Sequence, residues 1–426
     1  MLWQFSYQFT YANLVFRGIA ILLVLVIVNK WVNPVNKLSW TFLILLSPMV
    51  GLPLYFLFGR SGLTKGTQRQ MDEYNRVISA CLVRDEKAEQ ELLAEDASVY
   101  NQSRYISEYA GFPLYQNTGT KYYECGEVMF VDMLKDLKRA EHFIFLEYFI
   151  IEEGEMFQAV VDILEQKVKE GVEVRLIYDD VGCISTLPPK YYRVLQAKGI
   201  KCAAFNPFRP IISVVMNNRD HRKILVADGT VGYTGGINLA DEYINRIERF
   251  GYWKDTGVRI EGEGVWSLTN MFLSMWDYIT RMTEDCRKFM PAVYQKGPFV
   301  SDGYVQPYGD SPLDQENVGE NIYLNIIARA KRYVYIFTPY LIIDNEMLVT
   351  LCNAAKSGVD VRIVTPGIPD KKMVYLLTQS YYAPLLKSGV RIYQYTPGFL
   401  HAKCFVCDDE IATVGSVNLD FRSLYL

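Results

Sequence analysis

The chain states one chemical constellation twice. His221-Arg-Lys223-Ile-Leu-Val-Ala-Asp228 is followed, after six intervening residues, by Gly235-Gly236-Ile-Asn238. His401-Ala-Lys403-Cys-Phe-Val-Cys-Asp408 is followed, again after six, by Gly415-Ser416-Val-Asn418. Every matching residue of the second set lies 180 positions after its counterpart. Six specified positions arise by chance on the order of 10⁻⁸ of the time per start site, so two such sets at equivalent places signal an internal repeat. Their surroundings repeat too. KEGVEVRLIYDDVG (169–182) matches KSGVDVRIVTPG (356–367), AKGIKCAAFNP (197–207) matches KSGVRIYQYTP (387–397), and HFIFLEYFII (142–151) matches YVYIFTPYLI (333–342).

Each copy gives the same order of elements. An amphipathic helix (128–140; 322–331) leads into an apolar strand. A second helix (155–170; 346–356) ends at Gly and feeds a β-branched strand (172–178; 359–364). Helices alternating with buried apolar strands predict an α/β sheet covered by helices.

His and Lys two apart on a strand project from one face. The apolar run that follows continues the strand into the core. Asp228-Gly229 is a hairpin signal, and Asp408-Asp409-Glu410 is a looser equivalent. The returning strand ends at Gly-Gly or Gly-Ser, where backbone can approach a ligand and Asn supplies an amide donor. Each half therefore offers an imidazole, an ammonium and an amide. Two halves face to face suit a phosphodiester: the lysines stabilise charge on the non-bridging oxygens without a metal. One neutral imidazole attacks phosphorus, and the other, protonated, donates to the leaving oxygen. The residues alone leave open which imidazole attacks. The chain holds three histidines, and the third, His142, falls in an apolar strand and reads as structural.

These HxKxxxxD motifs resemble those of the phospholipase D superfamily, over residues 113 to 426. The resemblance implies two pseudo-twofold-related αβ sandwich domains with the site between them, and chemistry through a covalent phosphohistidine. It implies His221 as nucleophile and His401 as acid/base, with Lys223, Lys403, Asn238 and Asn418 on the phosphate. Asp228 and Asp408 belong to the catalytic motifs, although their family role is more structural than chemical. Family members carry an acidic residue some 30 positions after each motif histidine to orient that imidazole. Asp255 fits the first, behind His221, whereas the second would fall beyond Leu426. After Asn238 the first repeat continues for about 45 residues, including an amphipathic stretch at 265–278, but only eight follow Asn418. The expectation is a second domain cut short of its last strand and helix.

Residues 38–58 run 21 positions without a charge, long enough to span a hydrocarbon core. Residues 14–28 are also strongly apolar, interrupted only by Arg17. Two transmembrane segments are expected, with Trp31 and Trp40 at their edges. Arg60, Lys65, Arg69 and Arg76 follow the second segment and place the body in the cytoplasm. The predicted layout is a membrane anchor at 1–60, a solvated linker at 61–112, a first domain at 113–290 and a second at 291–426. Eight scattered cysteines do not form a disulfide framework and fit a reducing compartment. Cys404 and Cys407 make a lone CxxC in a strand-like run, read as structural rather than metal-binding or redox-active.

The net charge of −4 is a poor match to nucleic acid, which disfavours a nuclease. The apolar N-terminus, ending PMVGLPLYFLFGR, and the motif surroundings NNRDHRK, GGINLADEY and GSVNLDFRSLYL resemble bacterial cardiolipin synthases. That resemblance implies a transfer between two phosphatidylglycerols to give cardiolipin and glycerol, at a cell membrane and without any cofactor or metal. A lipid hydrolase, or a transferase using another alcohol, carries the same motifs. A non-enzymatic membrane scaffold would carry decayed ones, and both copies are intact. Tyrosines within 375–382 are candidates for a lipid groove or for ordinary packing. The sequence sets no oligomeric state.

Overall fold

The computed structural model describes residues 2–30, 34–59, 76, 80–207, 219–294, 298–301, 303–310 and 316–425. The chain divides into two compact units: residues 1–64 with 209–217, and the remainder.

The first unit holds α1 (Leu2–Val28), α2 (Pro34–Leu46) and α3 (Pro48–Phe58). Ala20, Ile27, Ile44, Leu52 and Tyr55 pack as its core, and Lys30 donates to the Tyr55 hydroxyl at 3.2 Å. Leu22, Leu38, Phe42, Leu46 and Phe58 stay exposed. Residues 38–58, expected as one continuous span, form parts of two helices. The run breaks at Ser47, whose φ of −142° and ψ of 81° leave the helical region, and restarts with Pro48 in the first turn, where its missing N–H costs no bond. At about 1.5 Å per residue the two pieces rise roughly 20 and 17 Å, short of the roughly 30 Å hydrocarbon core. Among the described residues no helix is long and apolar enough to cross a membrane. Trp31, Arg60, Lys65 and Arg69 lie outside the described residues.

The second unit contains both repeats. The first sheet has seven strands in the order β1-β7-β6-β5-β2-β3-β4: β1 (Thr118–Tyr123), β2 (Phe143–Tyr148), β3 (Glu173–Asp179), β4 (Lys201–Phe205), β5 (Lys223–Ala227), β6 (Val231–Gly235) and β7 (Gly257–Gly262). The second has five in the order β11-β10-β8-β12-β13: β8 (Tyr333–Phe337), β10 (Asp360–Pro366), β11 (Arg391–Tyr395), β12 (Cys404–Cys407) and β13 (Ile411–Val414). A small pair, β9 (Leu341–Ile342) and β14 (Leu419–Asp420), runs parallel. The five strands of the second sheet reproduce β6-β5-β2-β3-β4 in order. In each half two neighbouring pairs are parallel and the motif strand runs antiparallel to both its neighbours.

Strand β2 is buried at all six positions, so helices must cover both its faces. Gly126–Arg139 buries Met129, Met133 and Leu137 four apart, and Glu155–Lys169 buries Met156, Val160 and Leu164 at the same period. On the opposite face Val265–Thr280 stacks Phe272 on Phe145, centroids 4.5 Å apart. Strand β8 instead alternates buried and half-buried positions.

The expected solvated linker is corrected from residue 80 onward. Helices Glu86–Glu95 and Ala97–Tyr105 bury Ala88, Leu92 and Gln102. Ile106 joins the core of the second repeat, and Tyr105 donates to Glu316 at 2.6 Å. A disulfide joins Cys81 to Cys286, a pairing not expected from scattered cysteines. Cys404 and Cys407 are buried on β12. His142 is exposed beside the Tyr294 ring, 4.7 Å away.

The two repeats meet along a short backbone ladder. Tyr252 N donates to Pro397 O, Lys254 N to Phe399 O and His401 N to Lys254 O, at 3.0, 2.9 and 2.7 Å.

Candidate active site

Lys223 pairs in register with Tyr148, the last residue of β2, and Cys404 pairs with Phe337, the last of β8. The motif histidines therefore stand just beyond the carboxyl ends of the parallel strands, where open α/β sheets bind ligands. Both sets reach one place. Lys403 and His401 act electrostatically on His221, and Lys403 acts on Lys223. The His221 Nδ1 lies 3.1 Å from the backbone carbonyl of Ser416, in the other repeat.

His401 is backed differently. Its Nδ1 lies 2.6 Å from Asp255 Oδ2, and Asp255 is fully buried. This corrects the expected pairing: Asp255 stands behind the imidazole of the opposite repeat, not behind His221. The ladder explains why, since it aligns residues 252–254 with 397–401 and leaves Asp255 beside His401. Gly236 makes room for the carboxylate. A Cβ there would lie 2.0 Å from Asp255 Oδ1, and one at Gly235, with φ at +150°, would lie 2.5 Å from Thr256 O. At Gly415 the same added atom meets nothing within 4 Å.

The lysines are almost completely enclosed, at 2% and 1% exposure. Each ammonium donates to the carbonyl of its own motif histidine, two residues back. Lys223 also lies over the Phe149 ring, 5.3 Å from its centroid. Burial, reinforced by Lys403, pushes the Lys223 ammonium well below its ordinary value. Burial takes Lys403 down to about 7, although Asp255, Asp420 and Asp370 favour its charge. A phosphate would relieve both, because two facing ammoniums repel until an anion sits between them.

The imidazoles follow the same logic. Burial first, then Lys223 and Lys403, hold His221 well below its ordinary range. Burial and Lys403 take His401 down to about 4, against the opposing pull of Asp255. Burial would raise the Asp255 carboxyl, but His401 and Lys403 together hold it below the usual carboxylate range. A carbonyl only accepts, so the bond to Ser416 puts the His221 proton on Nδ1 and leaves a lone pair on Nε2. The carboxylate behind His401 stabilises its protonated form.

Asp228 and Asp408 are corrected as catalytic residues. Each lies five positions along the strand from its lysine, about 17 Å. Asp228 accepts from the backbone N–H groups of Glu141, His142 and Phe143 at 2.8, 2.8 and 2.9 Å. Asp408 accepts from Lys331, Arg332 and Tyr333 at 2.6, 2.9 and 2.8 Å. Both sit in the left-handed region, with φ of 50° and 56°. They fasten the hairpin to the start of the neighbouring strand. Asn238 accepts from Ile150 N at 3.0 Å and donates to the Tyr243 hydroxyl at 2.7 Å. Asn418 donates to Ser423 Oγ at 3.1 Å.

Several residues around the site went unnoticed in the sequence. Tyr243, Trp253 and Phe399 surround His401 with ring centroids 5.4 to 5.8 Å away. Arg222, the variable residue of the first motif, lies 2.7 Å from Glu147 and 3.0 Å from Asp220. Strand alternation held that signal: a charge on the face opposite His221 and Lys223 points into the sheet and needs a buried partner. Among the described residues no group of His, Cys, Asp and Glu is arranged to hold a metal ion.

Comparison with known proteins agrees with this geometry. The cardiolipin synthase, phospholipase D-like domain matches residues 133–276 and 323–426. The phospholipase D-nuclease N-terminal region matches residues 18–60. A cardiolipin synthase of Halalkalibacterium halodurans is 35% identical over 426 residues, covering 97% of this chain and 81% of the relative. One from Alkalihalophilus pseudofirmus is 35% identical over 398 residues, covering 92% and 78%. A Streptococcus mutans protein without an assigned function is 47% identical over 403 residues, covering 94% and 87%. Phosphatidylserine synthase of Haemophilus influenzae shares the fold at a TM-score of 0.54 and 14% identity, over 76% of this chain and 84% of that one. Two motif sets closing on one buried site, in a chain so like these relatives, place it in the cardiolipin synthase family of phospholipase D-like proteins.

Proposed function

We propose that this chain makes cardiolipin from two molecules of phosphatidylglycerol, releasing glycerol. The observation that carries the proposal is the meeting of both imidazole–ammonium sets at the carboxyl ends of the two sheets. Lys223 and Lys403 grip the non-bridging oxygens of the first lipid's phosphate. His221 Nε2 attacks phosphorus, forming a P–N bond as the P–O bond to glycerol breaks. The bound phosphate's negative charge offsets the lysines that hold His401 low in the free site; His401, protonated in that complex and held by Asp255, gives its proton to the departing glycerol oxygen. The terminal hydroxyl of the second lipid then loses its proton to His401 and attacks phosphorus. The P–N bond breaks, and both histidines return to their starting states. One phosphodiester replaces another, so no nucleotide is consumed. A bilayer presents the second lipid at high local concentration, which favours transfer over hydrolysis.

Membrane association is part of the proposal. The exposed Leu22, Leu38, Phe42, Leu46 and Phe58 of the N-terminal unit support it, and a cytoplasmic body is proposed from the basic residues after position 59. The deciding experiment incubates purified full-length protein with phosphatidylglycerol labelled in its terminal glycerol. Labelled glycerol with a four-chain product supports the synthase. Phosphatidic acid as the sole lipid product would make it a hydrolase.

A further inference from the structure

The helix Lys372–Ser380 is built against the usual rule for a surface helix. Its inward positions are Val374 and Thr378; Thr378 is fully buried and its hydroxyl accepts from Leu341 N at 3.1 Å. Its outward positions should be polar. They are Met373, Leu376 and Leu377, spaced i, i+3 and i+4, and they are 75%, 59% and 54% exposed. Ile368, before the helix, and Leu386, in the following helix Tyr382–Lys387, are exposed as well. Residues 371–387 contain Lys371, Lys372 and Lys387 and no acidic residue, in a chain whose net charge is −4; Asp370, just before them, lies 3.7 Å from Lys371. A locally cationic segment with an apolar outer stripe is the pattern of a helix lying in a lipid interface.

Its place in the fold ties it to the site. Asp370, two residues before the helix, accepts from the Tyr340 hydroxyl at 2.7 Å and acts electrostatically on Lys403. Ile368 N donates to Gly398 O at 3.1 Å, three residues before His401. The apolar stripe thus borders the second half-site. A lipid whose phosphate reaches the buried lysines must keep its acyl chains in an apolar phase, and this stripe offers the bilayer a contact beside that path.

We propose that Met373, Leu376 and Leu377, with Lys371 and Lys372, dock the body onto an anionic bilayer and deliver lipid headgroups to the site, a reading that rests on the function proposed above. The test uses the full-length protein and the double substitution Met373→Glu, Leu376→Glu, made at exposed positions. Turnover is compared on phosphatidylglycerol vesicles and on a short-chain, monomeric phosphatidylglycerol. Hydrogen exchange over 371–380 is followed with and without vesicles. The N-terminal unit is intact in both proteins, so the vesicle assay isolates the contact made by the body. The expected result is a fall of tenfold or more on vesicles, a change of less than twofold on the monomeric lipid, and vesicle-dependent protection of 371–380 that the double variant loses. Equal turnover on vesicles would overturn the proposal, and so would an equal loss on both substrates. Lipid-independent, concentration-dependent protection would assign the stripe to a second copy of the chain and overturn it too. If the wild type makes cardiolipin from neither substrate, the proposed function fails instead, and the exchange experiment still decides the surface.

Discussion

His221 and His401 occupy equivalent places in the two repeats, yet His221 turns Nδ1 toward a neutral carbonyl while His401 turns it toward a buried carboxylate. Both stand beside the same pair of lysines, so the difference lies behind the rings. A carbonyl fixes a tautomer and favours the charged ring only weakly, too little to offset burial and the two lysines, which suits a nucleophile that must stay neutral. A carboxylate fixes the same tautomer and also stabilises the imidazolium, which suits a group that carries a proton between two alcohols. Repeating a motif therefore does not repeat a role. The asymmetry comes from one residue, Asp255, which the first repeat supplies to the second.

The largest expected effect comes from removing the attacking ring. His221→Ala should lower turnover by about 10⁴-fold or more and abolish any covalent phosphoenzyme. Normal turnover would reject the assignment. Next comes the residue that makes the halves unequal. Asp255→Asn should cost about 10²- to 10⁴-fold in kcat, whereas Ser416→Ala should cost less than twofold because its contact to His221 is through the backbone. Steady-state kinetics of the two variants test the comparison directly, and equal losses would remove it.

The lysines give a pH signature. Burial holds Lys403 down to about 7 in the free site, and its proposed role is that of a cation. The kcat/KM should therefore fall as pH rises through that range, as the ammonium is lost. Lys403→Arg keeps the charge and should move this alkaline limb upward by more than one unit, at some cost in rate. An unmoved limb would show that another group titrates. The smallest effect on chemistry belongs to the motif aspartates. Asp408→Ala leaves three backbone N–H groups without their acceptor and should lower stability by about 1–3 kcal/mol. Thermal unfolding should record that loss, while kcat of the folded fraction changes by less than twofold.

The two motif sets were legible in the sequence because they are local: His, Lys and Asp at fixed spacing on one strand declare their faces before any fold is known. The partner of Asp255 was not, since sequence distance points to His221 while the ladder between 252–254 and 397–401 delivers it to His401. Composition misled in two other places. Residues 86–105 read as solvated because they are charged, but Leu92 and Gln102 are buried and Arg84 pairs with Glu89 at 2.7 Å. Residues 38–58 read as one span because they lack charge, but Pro48 begins a new helix there. Gly51 lets the two pieces approach, since a Cβ on it would lie 2.7 Å from Ile44 Cα.

The unequal roles of the two imidazoles can be tested by trapping the covalent intermediate. Full-length protein mixed rapidly with labelled phosphatidylglycerol, quenched and mapped by mass spectrometry should carry the phosphatidyl group on Nε2 of His221, and Asp255→Asn should leave it at that same position. A phosphatidyl group on His401, or turnover with no covalent intermediate at all, would contradict the account.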